Sequence, residues 1–115
     1  MAISDRVRKN VLDRDGNSCY HCGTSDGLQV HHRRNKKMGG SRELDRYDNL
    51  ITVCAKYNLA MEADPLAATD AREFGHKLGS WQDFSNPVFD TPNLTWYKLT
   101  EDGDRVKTEA PSYLI

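Results

Sequence analysis

Long apolar segments are missing from this sequence of 115 residues, of which 37% are hydrophobic. The mean hydropathy is −0.76, and no stretch approaches the roughly 20 consecutive apolar residues that a membrane-spanning helix needs. The first residues, Met1 to Asp5, contain no apolar region of the kind found in secretion signals. These absences argue against a membrane or secreted protein and predict a cytoplasmic one with no membrane partner.

Cysteine is scarce, and the three copies cannot all pair within one chain. Cys19 and Cys22 form a C-x-x-C pair, and Cys54 follows much later in the sequence. In a protein that is not exported, such a pair indicates metal binding rather than a disulfide. A chain of this length buries roughly two-thirds of its unfolded surface. With so few hydrophobic residues the core is thin, and the sequence predicts one small intracellular domain that a metal ion stabilises.

An excess of one charge is also lacking, since the net charge is −1. The two halves of the chain nevertheless differ in sign. Residues 1–58 hold 11 Lys and Arg against 7 Asp and Glu, whereas residues 59–115 hold 5 against 10. The basic half can meet a polyanion such as nucleic acid, while an ordinary mixed surface is the alternative. Charge alone leaves both open.

Turn residues and apolar spacing divide the chain into short helices and strands, which predicts an α+β fold. Ser4 is a helix N-cap residue, Gly16 is a helix stop, and Pro65 ends a later helix. Between two of the strands lies a polar loop, whose length in a compact domain indicates either function or disorder. The predicted elements are a helix over 4–15, a knuckle over 19–27, a strand over 28–32, the loop over 33–48, a strand over 50–53, helices over 55–64 and 66–74, and a β-hairpin of 96–100 with 105–108.

Two adjacent histidines, His31 and His32, end the first predicted strand. A lone histidine is more often a buried structural residue, but a pair followed by several basic residues is difficult to bury. Neighbours in a regular strand point to opposite faces, so both rings reach one site only where the strand ends or bulges. The pair is therefore a candidate functional site.

A set of motifs runs from the cysteine pair to the second helix: Cys19-x-x-Cys22, Leu28 to His32, Gly39-Gly40-Ser41, Asp48 to Ile51, Cys54 and Asn58. Together they resemble the HNH endonuclease family over about residues 6–60. The resemblance implies a ββα-metal core with a zinc-knuckle-like C-x-x-C and an N-terminal helix over residues 1–64. It implies that residues 65–115 form a C-terminal extension, with a β-hairpin, that packs on this core within a single structural domain.

The resemblance also implies roles for four residues in cleaving phosphodiester bonds of double-stranded DNA, by a nick or a double-strand cut. His32 is the general base, because a neutral imidazole, which titrates near pH 6.5, accepts a proton from water. His31 and Asn58 bind one divalent cation (Mg²⁺, Mn²⁺ or Ni²⁺), and Asn49 ties the loop between the strands. Asn58 stands where the family most often has histidine, although some branches also use asparagine.

Basic residues of the predicted loop lie close in sequence to the histidine pair. Lys and Arg side chains at such a place contact DNA phosphates, whereas a solvated loop with no partner is the alternative. The predicted phosphate contacts are Arg33, Arg34, Lys36, Lys37, Arg42 and Arg46.

Zinc is the metal predicted for Cys19, Cys22 and Cys54, since thiolates in a tight turn grip a tetrahedral ion. Tyr57 stands where the family usually has the fourth cysteine, and phenol is a poor ligand. His21 and His76 are the candidates for the fourth position. The alternative is a reduced C-x-x-C turn with Cys54 as a small core residue.

Segments Gly79-Ser80-Trp81 and Asn86-Pro87-Val88 resemble those that follow the core in small phage-type HNH proteins, some encoded beside packaging genes. This resemblance implies packaging proteins as partners and the host cytoplasm as location. A monomer nicks DNA, whereas a symmetric homodimer cuts both strands. Two other classes stay open: a non-catalytic zinc-knuckle module that binds DNA or protein, and a structural adaptor in a larger phage machine. Retention of His31, His32 and Asn58 favours the enzyme.

Overall fold

The computed structural model describes residues 3–35 and 42–114, with the side chains of Arg42 and Glu43 left out of the description. In this part of the chain it contains three α-helices and two small antiparallel sheets, which confirms the predicted α+β fold. The elements are α1 (Asp5–Arg14), β1 (Leu28–His32), β2 (Leu50–Cys54), α2 (Ala55–Ala63), α3 (Pro65–Glu73), β3 (Val88–Asp90), β4 (Thr95–Leu99) and β5 (Arg105–Thr108). Gly39-Gly40-Ser41 lies outside the described residues.

Helix α1 begins and ends as its sequence predicts. The Ser4 hydroxyl accepts a hydrogen bond from the backbone N–H of Val7 at 3.2 Å, which caps the first turn. The chain leaves the helix through Gly16, whose φ is +70°. Arg14, in the last turn, donates to the backbone carbonyls of Tyr47 and Leu50 at 2.9 and 2.5 Å. These bonds hold the end of α1 against the start of β2.

The hairpin of β1 and β2 sets the position of both candidate sites. In its antiparallel register His32 lies opposite Leu50, and Leu28 lies opposite Cys54. The two histidines therefore lie at one end of the hairpin, and Cys54 lies at the other. Helix α2 follows β2 without a loop, because Cys54 is both the last residue of the strand and the N-cap of the helix.

Pro65 occupies the first position of α3 and thereby separates it from α2. Its ring fixes φ near the helical value and its missing N–H is not needed at that position. The Asp64 side chain accepts from the N–H of Leu66 at 2.9 Å and caps α3. Two helices thus follow β2, close to the predicted bounds.

One hydrophobic cluster includes residues from both parts of the chain. Ile51 and Val53 of β2 pack with Met61 of α2, and Val88 of β3 and Leu99 of β4 lie in the same cluster. All five side chains are at most 2% exposed. The second sheet, of order β3-β4-β5, therefore covers a core that β2 begins. No helix among the described residues is long and apolar enough to cross a membrane.

Candidate functional site

His31 and His32 lie at the end of β1 in different environments. His31 is 5% exposed, and its Nε2 lies 3.0 Å from the backbone carbonyl oxygen of His76. Burial lowers the pKa of His31 to about 4, so the ring is neutral at pH 7. Because a carbonyl only accepts, Nε2 carries the single proton and Nδ1 keeps its lone pair. His31 is thus held in the tautomer that offers Nδ1 as a ligand.

Three of the predicted site residues line an open cleft of about 350 Å³: His31, His32 and Asn58. Val30, Asn35 and Glu62 complete its lining. Sequence reasoning missed Asn35 and Glu62. The signal for Glu62 was its spacing, since it follows Asn58 by one helical turn and lies on the same face of α2. The cleft therefore offers imidazole, amide and carboxylate groups together.

The ring of His32 is oriented by a carboxylate. Its Nε2 lies 2.7 Å from Oδ1 of Asp45, in the 3₁₀ turn Arg42–Asp45 before β2. A carboxylate accepts this bond, so the neutral ring donates from Nε2 and keeps its lone pair on Nδ1. No local pattern predicts this contact, because the two residues lie on opposite sides of the long loop.

Asn49 is fully buried and joins the chain on both sides of the loop. Its Oδ1 accepts from the backbone N–H of Arg34 at 2.8 Å. Its Nδ2 donates to the carbonyls of Arg34 and Leu44 at 3.2 and 2.9 Å. Asn49 therefore ties the residues after β1 to the turn before β2, and it holds the histidine end of the hairpin closed.

The prediction that Arg33 contacts DNA is wrong. The side chain is fully buried, and its guanidinium donates to backbone carbonyls instead of facing solvent. Burial lowers the pKa of Arg33 to about 10, which leaves the group charged at neutral pH. A planar guanidinium with five N–H donors suits such a convergence of carbonyls. The accepting carbonyls belong to Asp48, Gly75, Phe84, Asn86 and Pro87.

Arg34 and Arg46 both form contacts with other residues of this chain. Their guanidinium carbons lie 4.3 and 4.5 Å from the centroid of the Phe84 ring. Arg34 donates to the carbonyl of Gln82, and Arg46 pairs with the carboxylates of Asp48 and Glu101. Arg46 is therefore not the free cation that the sequence predicts. Lys36, Lys37 and the side chain of Arg42 lie outside what the structure describes.

The three cysteines form a cluster in which all Sγ atoms lie within 4.8 Å of one another. The Sγ atoms of Cys22 and Cys54 are 3.7 Å apart. A tetrahedral zinc ion with Zn–S bonds of about 2.3 Å requires sulfurs about 3.8 Å apart. The backbone N–H groups of His21 and Tyr57 donate to Cys19 and Cys54, each at 3.3 Å. Bonds of this kind favour thiolates, and the cluster can hold a metal ion such as zinc.

The cluster combines two buried thiols and one exposed thiol. Burial raises the pKa of Cys19 to about 11. A backbone hydrogen bond at Thr24 lowers the pKa of Cys22, the exposed member. A metal ion binds thiolates. Because Cys22 is exposed and its pKa is lowered, it is the cysteine of the cluster that most readily binds an incoming ion.

His76 is excluded as the fourth ligand because both ring nitrogens are engaged. Nδ1 lies 2.6 Å from the Tyr57 hydroxyl, and Nε2 lies 2.6 Å from the carbonyl oxygen of Phe89. His21 stacks on the Tyr57 ring, with centroids 4.1 Å apart. Within residues 3–35 and 42–114, no histidine or carboxylate joins the three cysteines.

No family model, no curated protein and no solved structure matches this chain. Inferences about its function therefore depend on its own residues. Two arrangements support inferences about function: the cleft at the histidine end of the β1–β2 hairpin, and the cysteine cluster at the other end.

Proposed function

We propose that this protein is a metal-dependent endonuclease that hydrolyses phosphodiester bonds of double-stranded DNA. The observation that supports this most is the shared cleft, in which His32 lies beside His31 and Asn58. A module that only binds DNA needs none of these three groups. The strand-strand-helix order of β1, β2 and α2 is also the order that the family resemblance implies.

His32 serves as the general base in this proposal. Its Nε2–H is held by Asp45, so Nδ1 is the atom that takes a proton from the attacking water. The Asp45 carboxylate fixes the tautomer and stabilises the imidazolium that forms, as carboxylates do beside catalytic histidines.

His31 and Asn58 fit a divalent cation. Nδ1 of His31 carries a lone pair, and the Asn58 side chain interacts with His31 while donating its Nδ2 to Gln29 at 2.8 Å. Glu62 adds a carboxylate at the same cleft. A set of nitrogen and oxygen donors suits Mn²⁺ and Ni²⁺ and admits Mg²⁺. When bound, the cation polarises the phosphoryl oxygen and stabilises the leaving alkoxide.

Conversion of supercoiled plasmid tests the proposed activity. The assay uses Mg²⁺, Mn²⁺, Ni²⁺ or EDTA, with wild-type protein and His32→Ala. We expect metal-dependent nicking or linearisation, and a loss of about 10²–10⁴-fold in rate for His32→Ala at unchanged DNA affinity. Asp26→Ala is the control, because this exposed residue does not line the cleft. Equal rates for wild type and His32→Ala would remove His32 from its role.

The cysteine cluster supports a structural zinc ion as a separate part of the proposal. Elemental analysis and thermal melts with and without a chelator test it. We expect about one zinc per chain and a melt that the chelator lowers, because structural zinc contributes folding free energy. Metal-free protein with an unchanged melt would mean that Cys19, Cys22 and Cys54 are only core residues.

A non-catalytic zinc-knuckle module that binds DNA or protein is the second candidate. The cluster favours it, since its sulfur spacing fits a metal without any contribution from the cleft. Plasmid that is bound but left intact with every metal would favour this module over the enzyme.

A further inference from the structure

A chain of hydrogen bonds connects the cysteine cluster to the candidate metal ligand His31. The N–H of Tyr57 donates to Sγ of Cys54 at 3.3 Å. The Tyr57 hydroxyl lies 2.6 Å from Nδ1 of His76, and the His76 carbonyl oxygen lies 3.0 Å from Nε2 of His31. Each of these four residues is at most 7% exposed, so water does not compete for the bonds.

The direction of each bond follows from groups that can only accept. The carbonyl of Phe89 accepts from Nε2 of His76 at 2.6 Å, so Nε2 carries the proton of the neutral ring. Nδ1 is then an acceptor, and the Tyr57 hydroxyl donates to it. In the same way, the His76 carbonyl accepts from His31 and leaves Nδ1 of His31 unprotonated.

We propose that Tyr57 and His76 are positioning residues that hold His31 in its metal-binding tautomer. This inference rests on the proposed function, since it concerns the cation that His31 and Asn58 bind there. Histidine ligands commonly donate their second ring N–H to a carbonyl, which fixes the orientation and tautomer of the ring.

The position of His76 in the chain explains why its backbone carbonyl, which accepts from His31, needs support. His76 lies in the irregular stretch between α3 and β3, just after Gly75, whose φ is +72°. The ring of His76 is bonded at both nitrogens, which fixes the residue from its side-chain end. Tyr57 is fixed in turn, because its ring stacks on His21 and meets the His76 ring edge-on at 5.5 Å.

Tyr57 therefore contributes a hydrogen-bond donor, and not a metal ligand, beside the cysteine cluster. At this position a cysteine would complete the cluster but could not reach His76 with a hydroxyl. The phenol spans the distance between the cluster and the segment behind His31. A purely structural role predicts that loss of the hydroxyl affects only stability, whereas a positioning role predicts an effect on His31 itself.

Removal of the Tyr57 hydroxyl by Tyr57→Phe tests the inference in protein without the divalent cation. Long-range ¹H–¹⁵N spectra report the tautomers of His31 and His76. We expect the Nε2–H form of both rings in wild type. In the variant His76 keeps its bond to the Phe89 carbonyl but loses its Nδ1 partner. The His76 carbonyl is then held less firmly against His31, and we expect part of His31 to change to the Nδ1–H form. Titration with Mn²⁺ should then show affinity lowered by about 10-fold or more, the usual effect of losing an outer-shell partner.

Tyr113→Phe is the matched control, since it also loses one hydroxyl bond, to the carbonyl of Glu73 at 3.3 Å at an exposed site. An unchanged His31 tautomer and Mn²⁺ affinity in folded Tyr57→Phe would overturn the positioning role. An Nδ1–H tautomer of His76 or His31 in wild type would overturn it even if the variant fails to fold. If wild type binds Mn²⁺ but never cleaves plasmid, the proposed enzyme fails while a changed tautomer in Tyr57→Phe still supports the positioning role.

Discussion

Nε2 of His32 and Oδ1 of Asp45 are 2.7 Å apart, and both side chains are about one-fifth exposed, at 19% and 21%. The contact joins the last residue of β1 to the turn that precedes β2. Asp45 thereby fixes a ring at the edge of the cleft, where substrate and water have access. A mobile imidazole there would spend part of its time with the wrong nitrogen facing the cleft.

Asp45→Asn should therefore lower the cleavage rate more than it lowers substrate binding. The amide can keep a hydrogen bond to His32, but it does not stabilise the imidazolium that forms during the reaction. We expect a loss of about 10-fold to 10²-fold in kcat, less than for removal of the general base itself. Plasmid cleavage kinetics measure it, with Asp26→Asn, an exposed position in the knuckle, as the control. A changed KM with constant kcat would contradict the role of Asp45.

Glu62→Gln should raise the concentration of Mn²⁺ that half-saturates the protein. The substitution keeps the size of the side chain but removes the carboxylate charge from the cleft. Carboxylate is the harder ligand and attracts the cation more strongly than a neutral amide does. Titration of the wild type, Glu62→Gln and the control Glu73→Gln, an exposed residue of α3, measures the change. Equal half-saturation in all three would place Glu62 outside the cation site.

Arg33→Lys should unfold far more easily than Arg34→Lys, although the two arginines are neighbours in sequence. An ammonium group cannot satisfy the several carbonyls that the Arg33 guanidinium holds, and each unsatisfied buried group costs about 1–3 kcal/mol. We expect the free energy of unfolding to fall by about 3 kcal/mol for Arg33→Lys and by less than about 1 kcal/mol for Arg34→Lys. Urea denaturation measures both. Similar losses would show that the buried contacts of Arg33 contribute little.

Acid should destabilise the fold from about pH 6.5 downwards, where histidine in the unfolded chain begins to bind protons. Burial lowers the pKa of His31 to about 4 and that of His76 to about 3. Between those values and pH 6.5 the unfolded state binds more protons, so stability falls as pH falls. Each histidine contributes about 1.4 kcal/mol per pH unit in that window. Urea unfolding at pH 7 and pH 5 measures the loss.

His31→Asn provides the comparison for the acid experiment. One of the two buried imidazoles is then absent, so the variant should lose less stability than wild type between pH 7 and pH 5. The difference between the two proteins isolates His31 from the titration of His76, which both share. An identical loss in both would mean that His31 already binds a proton in the folded protein near neutral pH.

Local signals predicted the elements well because short-range chemistry determines them. Ser4 and Pro65 mark helix boundaries through hydrogen bonding and a fixed φ, which depend on neighbouring residues only. Strand β3 was missed, since it has only three residues and depends on pairing with β4. The order of β1, β2 and α2, in contrast, was predicted from local patterns alone.

The candidate site was predictable only where its residues lie on regular elements. His31, His32 and Asn58 follow from the end of β1 and the first turns of α2. Asp45 and the burial of Arg33 depend on contacts 13 and 42 residues away in sequence, for which no local pattern exists. A buried arginine within a run of basic residues cannot be recognised from the sequence, because composition does not distinguish an arginine in the interior from one in water.

The buried guanidinium of Arg33 limits how this chain can be divided or recombined. Four of its five accepting carbonyls come from positions 75, 84, 86 and 87, all beyond the helix that follows β2. A fragment that stopped after α2 would leave this cation inside a core with most of its acceptors gone. Transfer of the first half into another protein would likewise leave the Arg33 guanidinium without most of its carbonyl acceptors. The basic first half therefore depends on the acidic second half for its fold, and the two form one structural unit.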